Sequence, residues 1–146
     1  MRTFITVLLP AFFAGFSLLF ASQCASAQII GSVEADLTHP FIIANTTLPA
    51  GKYEFRMVGN TDLNLMSAAN WNDKTRIEFQ VDRARDNHRP QHTELIFARY
   101  GNQEFLRKIF EAGDPVGVQV VEPSRLEQRL QKHGQHAVEH TEEQAK

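Results

Sequence analysis

The chain has 146 residues, 42% hydrophobic and 22% charged, with 15 basic against 17 acidic side chains and a formal net charge of −2. That length carries one domain with a modest core, and the lack of a basic excess argues against a nucleic-acid binder. The single cysteine, Cys24, lies in a segment expected to be removed, which excludes a disulfide scaffold, a thiolate nucleophile and cysteine-ligated zinc.

Arg2 is followed by an apolar run from Phe4 to Ala21, broken by Pro10 and Gly15, and then by Ala25-Ser26-Ala27. A basic start, an apolar core and an A-x-A site read as a secretory signal peptide over 1–27, cut between Ala27 and Gln28. The run is also long enough to raise an uncleaved anchor, against which the small residues and the A-x-A site speak. Gln23 stands before Cys24 where a lipoprotein signal needs a small residue. The product of cleavage has 119 residues and a net charge of −3, and no membrane-spanning segment is expected after it.

Val33, Ala35 and Leu37 alternate with Glu34 and Asp36 as in a half-buried strand. His39-Pro40 interrupts, and Phe41 to Ala44 resumes an extended run. Leu48-Pro49-Ala50-Gly51 is a turn, since proline presets the first central position and glycine tolerates the next. Tyr53, Phe55 and Met57 alternate with Glu54 and Arg56, Gly59-Asn60 turns the chain, and Leu63 and Leu65 alternate with Asp62 and Asn64. Asn70 to Asp73 is expected to be a loop in which Trp71 covers one end of the core. Ile77, Phe79 and Val81 give the cleanest period-two pattern, and Asp82 to His92 reads as a polar connection.

The stretch from Thr93 to Phe110 is two apolar runs joined by Gly101-Asn102, which suits a tight hairpin turn. A two-residue turn sets Arg99 opposite Glu104 and Phe97 opposite Leu106; a four-residue loop sets Tyr100 opposite Phe105. Either way Leu95, Phe97 and Arg99 share one face and Ile96, Ala98 and Tyr100 the other, so this strand is expected to be covered on both sides. Gly113-Asp114-Pro115 turns into a last strand over Val116 to Val121. Ser124 and Glu127 fit a capping box after Pro123, and Leu126 and Leu130 would dock the short helix on the sheet. Residues 133–146 are polar and His-rich, with little to bury, and are expected to be a disordered tail. The whole is an all-β class: a single small antiparallel β-sandwich or barrel over 28–132, closed by a short C-terminal helix.

With these segments placed, the chain resembles a family of small exported bacterial β-proteins of uncharacterised activity. The matching pieces are L-P-A-G-K-Y at 48–53, L-I-F-A-R-Y-G-N-Q-E-F-L at 95–106 and S-R-L-E-Q-R-L at 124–130, together with the signal peptide. The resemblance implies export and one β domain, and brings no catalytic residues with it. The longer His-rich tail departs from the family's pattern.

Several side chains invite a chemical reading. His133, His136 and His140 would share one face of a continuous helix and could hold zinc, copper or nickel, but Gly134 interrupts it and a solvated tail is the simpler account. Arg83, Arg85 and Arg89 with His88 and His92 could grip an anion, although Asp82 and Asp86 lie among them. Arg99 beside Tyr100 is either paired with Glu104 or a ligand contact in a barrel mouth. Trp71 could stack on a sugar. Arg99, Tyr100 and Trp71 are therefore the candidate contacts for a ligand or partner. Asn45-Thr46-Thr47 matches a glycosylation acceptor.

No G-x-S-x-G or phosphate-binding glycine loop is present, and Ser32, Ser67 and Ser124 sit in no catalytic constellation. The expectation is a non-enzymatic exported domain without cofactor or resident metal, a binding or envelope-associated interaction module. A carrier of a small apolar ligand, held among Phe55, Phe79, Phe97 and Tyr100, and a self-assembling surface protein with free strand edges are the rival readings. The partner would be a protein or a small apolar ligand.

Overall fold

The computed structural model describes residues 31–59 and 64–144. The expected signal peptide, its cleavage site at Ala27–Gln28, Cys24, and Asn60 to Leu63 lie outside them. The described residues form ten strands and one helix: β1 Val33–Leu37, β2 Phe41–Ile43, β3 Thr46–Leu48, β4 Gly51–Met57, β5 Leu65–Asn70, β6 Arg76–Arg85, β7 Thr93–Tyr100, β8 Gln103–Phe110, β9 Val116–Val120, α1 Arg125–Lys132 and β10 Val138–Gln144. None of their helices is long and apolar enough to cross a membrane.

The strands make one mixed sheet that does not close on itself and folds over as a sandwich. The first layer is β1, β4, β5 and the front of β6; the second is the rear of β6, then β9, β8, β7 and β10. β6 links the layers by changing partner midway, with Arg76 to Gln80 on β5 and Val81 to Arg85 on β9. The barrel alternative gives way to this open arrangement. Nor is the sheet wholly antiparallel, because β2 meets β8 in parallel at Ile42 and Phe105. β2 and β3 form a small hairpin unseen in the sequence, whose turn places Ala44 at a φ of 51°.

Between the layers lies a core of alternating strand residues, including Val33, Leu37, Tyr53, Phe55, Met66, Phe79, Phe97 and Leu106. Phe41 packs edge-on against both Tyr53 and Phe97, with ring centroids 5.0 and 6.0 Å apart, a favoured geometry for aromatic pairs. The opposite face of the second layer is also covered. Ile42, Tyr100 and Phe105 cluster beneath Leu126 and Leu130 of α1, and Ala84, Ile96 and Phe110 form a separate patch.

The β7–β8 hairpin takes the two-residue turn, with Gly101 at a φ of 60° and Arg99 opposite Glu104. A bulge between Ile96 and Phe97 shifts the register, and β7 is covered on both faces as its sequence demands. The polar connection after Val81 begins later than expected, because β6 runs on to Arg85 and borrows the main chain of β9.

The largest departure is the C-terminus. Val138 to Gln144 is an antiparallel strand registered along β7 from Arg99 to Thr93, where a disordered tail was expected. The strand has few apolar residues to bury, but it satisfies the main-chain donors and acceptors that β7 would otherwise leave open, and that requirement does not depend on side-chain hydrophobicity.

Candidate functional site

β1 is an edge strand of the first layer and β10 an edge strand of the second, and they face each other across a seam. The main-chain N–H of Asp36 donates to Gln144 Oε1 at 2.8 Å across it. Along β10, His140, Glu142 and Gln144 are half-buried, while Glu139, Thr141 and Glu143 are exposed, so the period-two alternation of a strand turns the first three inward. His39, on the connection between β1 and β2, stands over the same place, its Nδ1 3.1 Å from Glu142 Oε1.

The His39 ring is seated edge-on against Phe97, centroids 5.6 Å apart, and 5.9 Å from the His140 ring. One donor atom from each of His39, His140 and Glu142 lies within 4.8 Å of the other two. Behind them Glu104 is buried, with Oε1 bound by Arg99 Nε and 3.4 Å from His140 Nδ1. Arg99 Nη2 also donates to His140 Nδ1 at 2.8 Å. That nitrogen accepts from Arg99 when it carries no hydrogen and donates to Glu104 when it carries one, so the two contacts call for different placements of the ring hydrogen. Two buried polar atoms here, His39 Nε2 and Glu104 Oε2, have no hydrogen-bond partner, an arrangement that costs stability unless a ligand completes it.

The residues singled out in the sequence are not brought together. Arg99 is paired with Glu104 and His140, at the seam. Tyr100 lies on the other face of β7, buried under α1, where its hydroxyl accepts from Gln131 Nε2 at 2.8 Å. Trp71 covers no core; it is 55% exposed, and Lys52 Nζ lies 4.4 Å from its ring centroid. Phe55, Phe79 and Phe97 belong to the packed core and Tyr100 to a different cluster, so the four rings line no common cavity. The tail histidines separate too: α1 ends at Lys132, His133 caps it, His136 is exposed, and His140 alone reaches the seam.

The arginine- and histidine-rich segment resolves into local pairings. His88 Nδ1 lies 2.9 Å from Asp86 Oδ1 and its Nε2 3.4 Å from Glu94 Oε2. The hydrogen bond with Asp86 holds the His88 pKa above its ordinary value, and the same bond lowers that of Asp86. Burial raises the Tyr53 phenol, whose hydroxyl donates to the Pro49 carbonyl at 2.8 Å.

His39 and Glu142 went unnoticed in the sequence because they are far apart along the chain. A signal existed only for His140-x-Glu142, two ligand-type side chains at strand spacing, in a segment with no hydrophobic alternation. The fold and seam define a small open β-sandwich with a polar cluster at its unsealed edge. Comparison with family models, curated proteins and solved structures gave no match.

Proposed function

We propose that this chain is an exported, non-catalytic binding domain that meets its ligand at the seam between β1 and β10. The observation that carries this reading is the convergence there of His39, His140, Glu142 and Glu104 from three separate elements, with two buried polar atoms left unpaired. Export is supported by the signal-type start, and by the resemblance to small exported bacterial β-proteins in the L-P-A-G-K-Y, hairpin and S-R-L-E-Q-R-L segments. Among the described residues no hydroxyl hydrogen-bonds an imidazole, the pairing that activates a serine or threonine nucleophile.

The test is a native mass spectrum of the full-length product exported from a bacterial host, combined with a panel of ester, glycoside and phosphate substrates. The expected result is a chain beginning at Gln28, carrying added mass that is lost on denaturation, and inert toward the panel. Turnover well above blank, or a chain that never retains added mass, would overturn the reading.

A further inference from the structure

The seam cluster is specific enough to name a class of ligand, an inference that rests on the binding reading above. We propose that His39, His140 and Glu142 bind a divalent transition metal of the zinc class and that the ion clasps the C-terminal strand to the β1–β2 connection.

Two imidazoles and one carboxylate form a borderline donor set that suits Zn²⁺, Co²⁺ or Ni²⁺, whereas Ca²⁺ and Mg²⁺ favour all-oxygen sites. A tetrahedral zinc with bonds of about 2.0–2.1 Å holds its ligand atoms about 3.3 Å apart. The 3.1 Å between His39 Nδ1 and Glu142 Oε1 already falls near that spacing, and the 4.8 Å limit on the remaining pairs is within reach of small side-chain rotations. All three residues are half-buried, so the site is sheltered yet has an entry path.

Its surroundings fit the same reading. A carboxylate beside a ligand imidazole orients the ring and raises its basicity; Glu104 stands in that position next to His140, held in turn by Arg99. Phe97 supplies an apolar wall against the His39 ring. The topology then gives the ion a structural consequence. His39 leaves the edge of one layer and His140 and Glu142 belong to the edge of the other, so one ion adds a second tie across the seam that the Asp36–Gln144 hydrogen bond already spans.

The full exported chain, stripped with chelator, is titrated with Co²⁺ and then Zn²⁺, with the Co²⁺ absorption spectrum and the melting temperature as readouts. The expected result is one ion per chain, a d–d spectrum of four- or five-coordinate cobalt displaced by Zn²⁺, and a higher melting temperature with metal. His140→Ala and Glu142→Gln should each weaken binding by about 100-fold or more, whereas the double variant His133→Ala/His136→Ala should bind as the parent does. Glu104→Gln, which removes no ligand, should cost about 10-fold. The apo melting temperatures of Glu142→Gln and Glu104→Gln show whether those variants still fold.

Binding that survives both His140→Ala and Glu142→Gln, or is abolished by the His133/His136 substitutions, would overturn the site. A parent chain that binds no ion while retaining an organic adduct would overturn the metal and leave the binding reading standing. Hydrolytic turnover by the metal-loaded chain would do the reverse.

Discussion

Gly117 has no room for a side chain. A Cβ built there would stand 2.2 Å from the Ile109 carbonyl oxygen and 2.6 Å from Phe110 Cδ1. The first of these is main chain of β8, held between β7 and β9, so the clash is not relieved by turning a side chain. Gly117→Ala is expected to cost about 3 kcal/mol, at the upper end of overpacking penalties, and to lower the urea midpoint accordingly. Gly113 offers the contrast: a Cβ there meets nothing within 4 Å, but φ is +82°, so Gly113→Ala carries only the left-handed penalty of about 1 kcal/mol. Equal midpoints for the two variants would contradict the close approach at Gly117. At the same scale, the raised His88 pKa fixes the sign of a pH effect. Its pairing with Asp86 contributes fully below the ordinary histidine pKa and is lost as pH rises through the raised folded value. The His88 ring resonances should titrate above the ordinary value, and Asp86→Asn should move the midpoint down; an unchanged midpoint would remove the contact.

The helix α1 shows how an element can be fastened by few residues. Ser124 Oγ accepts from the Glu127 N–H at 3.0 Å, which is half of a capping box. The Glu127 side chain, instead of turning back to the cap, is buried and meets Arg107 of β8 at 3.3 Å. Ser124→Ala should cost about 1 kcal/mol. The ion pair is asymmetric, since Glu127 is 3% exposed and Arg107 36%. Removing Arg107 strands a buried carboxylate and should cost about 3 kcal/mol, whereas Glu127→Gln frees Arg107 to water and should cost about 1 kcal/mol. Equal losses in a denaturant series would contradict the burial of Glu127. The helix, its cap and its two leucines were legible because caps and i, i+4 spacing are local signals. So was the β7–β8 hairpin, whose Gly101-Asn102 turn and apolar faces define it without outside help. β5 was hidden because Met66, Ser67 and Ala68 are buried in succession, so the alternation that marks a half-buried strand is absent. The rear of β6 was hidden by Arg83 and Arg85, which are polar on an exposed strand end. The seam site was hidden most thoroughly, because His39 and Glu142 meet only after the whole sheet has folded over.

The whole molecule depends on β10 in a way its composition does not suggest. Seven register pairs tie it to β7, and its polar inward residues contribute almost no hydrophobic burial. Its stabilisation must therefore come mainly from main-chain hydrogen bonds and from contacts across the seam, which include Gln144 with Asp36 and Glu142 with His39. Main-chain bonds that replace bonds to water contribute modestly each, so β10 should be the first strand to open, ahead of the apolar core. Hydrogen exchange should show lower protection for residues 138–144 than for the β7–β8 pairing beside them, and metal at the seam should raise protection in β10 selectively. Removing residues 135–146 tests the other half of the argument. β7 would then present an unpaired edge whose inward residues Leu95 and Phe97 already belong to the core, and such edges pair with other chains. The truncated protein should keep its far-ultraviolet strand signal, melt at a lower temperature and associate with rising concentration in sedimentation. A truncated chain that remains monomeric and equally stable would show that β10 contributes neither to the seam nor to the protection of β7.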